Sequence, residues 1–133
     1  MSGSLVYVDV SEVKEGSLDR LEGAIEELAG FIEANVPDVL AYNVFLSEDG
    51  TQMTVVHVHA EAESLERHLI TAGPVFRKFS DLLTLKSIRV YGEPSERAVE
   101  LLHEKASMLG SGDVTVLRPR AGFSRLRPVA KLD

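Results

Sequence analysis

The sequence predicts an α+β fold of the ferredoxin-like type, a single antiparallel sheet with two helices on one face. Short runs rich in Val, Ile, Tyr and Thr predict strands, and two longer segments carry apolar residues at steps of three and four, which is typical of half-buried helices. These elements follow one another in the order β-α-β-β-α-β over residues 5–92, which is the split β-α-β arrangement.

The first strand and helix are both well marked. Leu5–Val10 is the strand, and Ser17 is a suitable N-cap for the helix that follows. The apolar residues of that helix recur along one face, and Pro37 ends it. They are Leu18, Leu21, Ile25, Leu28, Ile32 and Val36.

A hairpin and a second helix come next. Val39–Leu46 and Thr51–Ala60 are strands joined by an Asp-Gly turn. Ser64 is expected to cap the second helix, in which Gly73-Pro74 predicts a kink or a break. Its inner face is expected to hold Leu65, Leu69, Ala72, Phe76, Phe79 and Leu83.

The last segments extend beyond the ferredoxin-like core. Leu85–Gly92 is the fourth strand, and a third helix runs from a cap at Ser95 to Leu109, with Gly110 as its C-terminal cap. Asp113–Leu117 predicts a fifth strand. Residues 1–133 therefore form one domain, with a core at 5–92 and an appended helix, strand and basic tail at 93–133.

Charge and composition exclude several classes of function. The tail at 118–133 carries +4, which leaves −11 on residues 1–117, so the acidic body is expected to repel nucleic acid. The tail could instead contact an acidic surface of the same subunit or of a neighbouring one. No apolar stretch approaches the length of about 18–20 residues that spans a bilayer, so no membrane partner is expected. The absence of cysteine excludes a thiolate nucleophile and favours a cytoplasmic location.

Alternation along the strands sorts the side chains into two faces. Each strand has one mostly aliphatic side, which we expect to lie under the helices. The opposite side combines aromatic, imidazole and other polar groups, a mixture more typical of a pocket lining than of a solvated sheet face. This second set comprises Tyr7, Asp9, Asn43, Phe45, His57, His59, Arg89 and Tyr91.

A single sheet cannot enclose a ligand by itself. Two copies packed through their polar sheet faces could enclose one, and symmetric homodimers are the commonest oligomers. The sequence therefore predicts a homodimer with a cavity that binds a small molecule. An enclosed pocket with a histidine near its centre would favour an enzyme, whereas a filled interior would argue against an oxygenase.

The segment "AEAESLERHL", residues 60–69, resembles a strand-to-helix stretch of the dimeric α+β barrel proteins, in particular the antibiotic-biosynthesis and quinol monooxygenase group. The strand order also matches. The resemblance implies a cofactor-free oxygenase and places His68 at the mouth of a cavity. The chain has no tryptophan, so the Asn-Trp-His set of haem-degrading relatives is incomplete and haem degradation is not expected.

His57 and His59 are the predicted catalytic residues, because imidazole titrates near neutral pH and can take a proton from a phenol. They could equally be structural, paired with Asp9, tyrosines or the main chain. A metal site is not expected, since Asp9 is the only carboxylate predicted beside them. His68 is predicted to lie apart from both. Arg89 could bind an oxyanion or pair with Asp9.

The leading hypothesis is a cofactor-independent monooxygenase that acts on a quinol, a phenol or a polycyclic aromatic compound, with no bound cofactor. The predicted substrate-binding residues share one face of the sheet apart from His68, which is predicted at the cavity mouth, and we expect Arg89, Tyr7, Tyr91 or Asn43 to stabilise the substrate's oxyanion. They are Tyr7, Asp9, Asn43, Phe45, His68, Arg89 and Tyr91. The alternatives are a non-catalytic dimeric barrel that binds a small ligand or responds to stress, and an isomerase or lyase of the same fold.

Overall fold

A computed structural model describes residues 3–126, together with the backbone but not the side chain of Ser111. The strands are β1 (Leu5–Val13), β2 (Val39–Leu46), β3 (Gln52–His59), β4 (Leu83–Tyr91) and β5 (Gly110–Leu117). The helices are α1 (Leu18–Asn35), α2 (Ala62–Phe76) and α3 (Glu96–Leu109), and a 3₁₀ helix at Arg77–Asp81 follows α2.

The sheet has the order β2-β3-β1-β4-β5. The first four strands pair antiparallel, which confirms the predicted ferredoxin-like core and its β2–β3 hairpin. β5 adds to the edge of β4 in parallel, so the complete sheet is mixed. Glycine allows this addition, because a Cβ at Gly110 would lie 2.4 Å from the carbonyl oxygen of Leu85. The basic tail is described only in part, since Arg127 and Lys131 lie outside the described residues.

The helix boundaries mostly follow the sequence signals. Ser95 caps α3 as predicted, and its hydroxyl accepts a hydrogen bond from the amide of Ala98. The prediction for Ser64 is wrong, because α2 begins at Ala62 and Ser64 lies buried inside its first turn. The break that was one of the two outcomes predicted at Pro74 is wrong, since α2 continues through that residue and changes to a 3₁₀ helix only after Phe76; the kink stays a prediction.

The predicted inner faces of α1 and α2 are largely confirmed. Leu21, Leu28 and Ile32 of α1 are buried, as is every predicted inner-face residue of α2 and the 3₁₀ segment. Side chains of α1, α2 and α3 all contribute to one cavity wall with strand residues such as Val55, so all three helices cover the same face of the sheet. The core of the protein lies in this layer.

The assignment of the two sheet faces is wrong for β1 and β3. Tyr7 pairs with His57 on one side and with Val90 on the other, and paired residues share a face. The helix-covered face therefore carries the polar residues of these two strands, Tyr7, Asp9, His57 and His59, all of which are buried. The valines of the same strands occupy the opposite face, which we call the open face, and are only half-buried there; they are Val6, Val8, Val10, Val56 and Val58.

Candidate functional site

Three histidines gather beneath α2. His57 and His59 project from β3, and His68 projects from α2 onto the same face of the sheet. The ring centroid of His57 lies 4.8 Å from that of His59 and 4.5 Å from that of His68. All three are at most 1% exposed. The prediction that His68 lies apart from the other two is therefore wrong, because β3 turns its polar side towards α2.

Two tyrosines enclose the histidine cluster. The ring of Tyr7 stacks on His57 with centroids 3.9 Å apart, and the ring of Tyr42 lies 5.4 Å from His57 on the other neighbouring strand. These flat contacts fix the plane of the His57 ring. The imidazole is therefore oriented before any ligand binds.

Hydrogen bonds run through the cluster in one direction. The single hydroxyl proton of Ser64 is donated to the carbonyl oxygen of Asp38 at 3.2 Å, so its oxygen accepts from Nδ1 of His59 at 2.7 Å. Nε2 of His59 then accepts from Nδ1 of His57 at 2.6 Å. With Ser64 donating to Asp38, this order assigns the Nδ1–H tautomer to both neutral rings.

This direction leaves a buried acceptor at the end of the chain. Nε2 of His57 carries a lone pair and has no hydrogen-bond partner among the described residues, and neither does Nδ1 of His68. Buried polar atoms in native proteins are nearly always paired, with protein or with water. Two orphaned imidazole nitrogens in one cluster therefore indicate a place where a ligand or water binds.

The histidines are neutral at physiological pH. Burial lowers the pKa of His57 and of His68 well below the usual value of 6.5, and the other imidazoles and Lys105 lower both further. Burial lowers the pKa of His59 to about 4, against an opposing attraction from Asp38. Each ring thus acts as a neutral hydrogen-bonding group, and any proton it accepts is held only briefly.

A second network adjoins the first through Tyr7. The Tyr7 hydroxyl donates to Oδ2 of Asp9 at 2.5 Å and accepts from Nζ of Lys105 at 2.7 Å. Lys105 projects from α3, and its Nζ also lies 3.4 Å from Oδ2 of Asp9. The other carboxylate oxygen of Asp9 is buried and has no partner among the described residues. Tyr7 joins the two networks, with its ring on His57 and its hydroxyl in the ion pair.

Burial also changes the acidity of this second network. Burial lowers the pKa of Lys105, against the attraction of Asp9, which raises it. Burial raises the pKa of Tyr7 well above 10, and the Asp9 carboxylate that accepts its proton raises it further. Tyr7 therefore stays protonated and is a neutral phenol between Asp9 and Lys105.

A cavity of about 30 Å³ lies between the sheet and the three helices. Asp9, Tyr42 and Lys105 line it, and its other walls are aliphatic or aromatic apart from Ser11. That volume holds water molecules and is too small for an aromatic ring. The histidines are not part of its lining, and the Tyr42 ring, which does line it, lies against His57 and His68.

The open face holds the remaining predicted site residues. Asn43 pairs with Val56, Arg89 pairs with Val8, and Tyr91 pairs with Val6. Phe45 pairs with Thr54 and is 55% exposed. The prediction that these four residues share a face with His57 and Asp9 is therefore wrong, because the register between strands places them on the opposite side of the sheet. Arg89 cannot pair with Asp9.

Three residues of the site were missed. Lys105 lies within the apolar stripe of α3, between Leu102 and Leu109, and a lysine at that spacing was the available signal. Tyr42 is absent from the predicted polar face, and Ser64 is predicted only as a helix cap. Within residues 3–126, no group of three or more His, Cys, Asp or Glu side chains has the arrangement of a metal site.

Comparisons with solved structures identify proteins that share the fold. No protein-family profile matches the chain, and no curated protein sequence matches it. Among solved structures, MupZ from Pseudomonas fluorescens superposes with a TM-score of 0.72 at 21% identity, over 94% of this chain and 91% of MupZ. SnoaB from Streptomyces nogalater, described as a cofactor-independent oxygenase, has a TM-score of 0.59 at 15% identity, over 71% of this chain and 96% of SnoaB.

A third solved structure, from Chloroflexus aurantiacus, is provisionally described as an antibiotic biosynthesis monooxygenase. It has a TM-score of 0.56 at 16% identity and covers 66% of this chain and 90% of its own. The chain thus has the α+β fold of the antibiotic-biosynthesis monooxygenase-like structures, which confirms at the level of the fold the resemblance carried by residues 60–69. No helix within residues 3–126 is long and apolar enough to cross a membrane.

Proposed function

We propose that the protein is a cofactor-independent monooxygenase that acts on a phenolic or quinolic small molecule bound between the sheet and the helices. The observation that carries the proposal is the directed chain from His57 to Ser64, which ends in a free acceptor at Nε2 of His57. A buried acceptor fixed in one tautomer suits proton transfer from a substrate hydroxyl. The fold shared with an oxygenase that needs no cofactor supports the same reaction class.

In the proposed reaction the substrate supplies the electrons. Its hydroxyl gives a proton to Nε2 of His57, and the resulting anion reacts with O₂ at a ring C–H. One oxygen atom becomes a carbonyl oxygen of the quinone product and the other leaves as water with the C–H and O–H hydrogens, so four electrons pass from the ring to O₂. His59 and Ser64 are positioning residues, since they hold His57 in the tautomer that accepts the proton. His68, with its free Nδ1, is the proposed second contact to the substrate.

Substrate binding requires the cavity to widen. At about 30 Å³ it holds water only, and the histidines lie outside its lining. The side chains of α1 and α2 that line it, and Tyr42 beside His57 and His68, must therefore move apart for a ring to enter and reach the histidines. The small cavity also favours a second candidate, a non-catalytic protein that binds a small ligand. Oxygen consumption separates the two candidates.

The test is oxygen uptake with a panel of quinols and phenols in metal-free buffer. We expect uptake with at least one of these compounds, and a loss of about 100-fold or more in His57→Ala, the typical contribution of a general base. We expect a smaller loss in His59→Ala. His103→Ala is the matched control, because His103 is exposed on α3. Absence of uptake across the panel, or equal rates in the wild type and His57→Ala, would contradict the proposal.

We further propose that two copies associate through the open face. Its valines follow the middle strands β1 and β3, and Phe45, Tyr91 and Leu117 beside them are 40–55% exposed. A sheet with apolar residues on both sides is usually covered on both sides. A second copy of the chain is the proposed cover, since the same patch on both subunits forms a symmetric dimer. In this arrangement the dimer contact and the site lie on opposite faces of the sheet.

A further inference from the structure

Lys105 is the one Lys or Arg side chain that is buried among the described residues. It comes from α3, which lies beyond the ferredoxin-like core, and it lines the cavity together with Asp9. Burial of a lysine is unfavourable unless the ammonium is paired. The buried position of Lys105 therefore indicates that its amino group has a specific binding partner.

The pairing of Lys105 is incomplete. Of its three N–H groups, one is directed to Tyr7 and one lies at a long distance from Asp9, while the rings of Phe76 and Tyr7 lie 4.3 Å and 4.8 Å from Nζ. One N–H is therefore without a hydrogen-bond acceptor within residues 3–126. Asp9 is also incompletely paired, because its Oδ1 is buried and has no hydrogen-bond donor among residues 3–126.

A free donor and a free acceptor thus meet at the same cavity. The Nζ of Lys105 and the Asp9 carboxylate are separated by only 3.4 Å, so both can contact neighbouring oxygen atoms of one ligand. An ionised oxygen would accept from the ammonium, and an adjacent hydroxyl would donate to Oδ1 of Asp9. A ligand with a single hydroxyl would leave one of the two groups unpaired, which costs affinity.

We propose that Lys105 and Asp9 bind two neighbouring oxygen atoms of the substrate, and that the substrate is an aromatic compound with adjacent hydroxyl groups. Lys105 is then a catalytic residue that stabilises the anionic oxygen, and Tyr7 is a positioning residue that holds the ammonium. This inference rests on the proposed function and specifies the substrate class for the same site. It adds a charged group that the ferredoxin-like core does not supply.

The test is an anaerobic binding titration with 4-nitrocatechol and 4-nitroguaiacol, which differ only by methylation of one hydroxyl. The visible spectrum reports whether the bound probe is ionised. We expect the wild type to bind 4-nitrocatechol as its anion, roughly tenfold more tightly than 4-nitroguaiacol. Lys105→Met should lose the ionised spectrum, and Lys105→Arg should retain part of it because the charge remains.

Two further variants complete the design. Asp9→Asn/Lys105→Met replaces the ion pair with neutral groups and keeps the fold testable if Lys105→Met alone does not fold. Lys86→Met is the control, because Lys86 is exposed and pairs only with Glu12 at the surface. We expect the double variant to bind no ionised probe and the control to match the wild type.

The outcomes separate this inference from the proposed function. Anionic 4-nitrocatechol binding that depends on Lys105 supports the inference even if no compound supports oxygen uptake. Equal affinity for the two probes, an ionised probe bound by Lys105→Met or by the double variant, or no probe binding by the wild type overturns it. Oxygen uptake that persists in Lys105→Met also overturns it while leaving the monooxygenase proposal in place.

Discussion

The two faces of the sheet reverse the usual distribution of side chains. On β1 and β3 the helix-covered face carries an aspartate, a tyrosine and two histidines, whereas the open face carries a patch of valines. An antiparallel sheet with one exposed side normally shows the opposite arrangement. Each face therefore lacks a different kind of contact. The covered face has polar groups without partners, and the open face has apolar surface without a cover.

The largest expected effect on the covered face comes from breaking the buried ion pair. Asp9→Asn or Lys105→Met alone leaves a buried charge unpaired, so each should lower the free energy of unfolding by about 3–5 kcal/mol. The double variant removes both charges and should lose much less than the sum of the two. Urea unfolding at pH 7 measures all three. If each single variant lowers the free energy of unfolding by less than about 0.5 kcal/mol, the usual range for a surface site, the ion pair does not contribute to stability as expected.

Acid should destabilise the same face through its histidines. The pKa of His59 falls from 6.5 in the unfolded chain to about 4 in the folded protein, so the unfolded chain binds more protons between these values. The stability is complete above pH 6.5 and falls as the pH decreases. His59 alone contributes an upper value of about 3 kcal/mol by pH 4, at about 1.4 kcal/mol per pKa unit.

The measurement is the free energy of unfolding from pH 7.5 to pH 4 in the wild type, His59→Gln and the exposed-site control His103→Gln. The slope should be smaller in His59→Gln and unchanged in the control. Parallel curves for the wild type and His59→Gln would mean that His59 is protonated as easily in the folded state as in the unfolded chain.

A charge on the open face should break the proposed dimer without disturbing the site. Val8 is half-buried at the middle of the valine patch, so Val8→Lys can keep its ammonium in water in the monomer but not in a packed interface. We expect dissociation to be at least about 30-fold easier, equivalent to about 2 kcal/mol. Sedimentation velocity should show a dimer for the wild type and for Glu48→Lys, an exposed control in the β2–β3 turn. A monomeric wild type would contradict the proposal that a second copy covers the open face.

The smallest effect should follow removal of the end of the hydrogen-bond chain. Ser64→Ala deletes the acceptor for Nδ1 of His59, and we expect a cost of about 1 kcal/mol, the lower end of the usual range for a buried donor left unpaired. Nitrogen-15 NMR should show both His57 and His59 as Nδ1–H tautomers in the wild type, with His59 losing this preference in the variant. Observation of an Nε2–H tautomer of His57 in the wild type would reverse the direction of the chain and remove the proposed base.

The order of the strands and helices could be predicted from local signals. The hairpin turn, the apolar faces of α1 and α2 and the cap at Ser95 follow from residues close together in the chain. The prediction at Ser64 failed because a serine in the first turn of a helix can serve a tertiary partner instead of the helix end. Here that partner is His59, which comes from another element of the fold.

The candidate site depended on longer-range information. Alternation correctly grouped Tyr7 with Asp9 and His57 with His59 within their own strands. It could not join these pairs to the correct residues of β2 and β4, so Arg89 and Asn43 were grouped with them wrongly. Lys105 is 98 residues from Tyr7, and only the packing of α3 against the sheet brings the two side chains together.

The sequence by itself determined the fold class, the order of the elements and the pairs of polar residues on single strands, because each depends on periodicity along one segment. The tertiary structure decided which side of the sheet the helices cover, and with it which residues meet. The physical reason is that alternation with a period of two divides the side chains of a strand into two sets without showing which set faces the helices. Hydrophobicity identifies the helix-covered set only when the other side of the sheet is exposed to solvent. Here the valines of β1 and β3 lie on the open face, so the rule that the aliphatic side lies under the helices gave the wrong face for both strands.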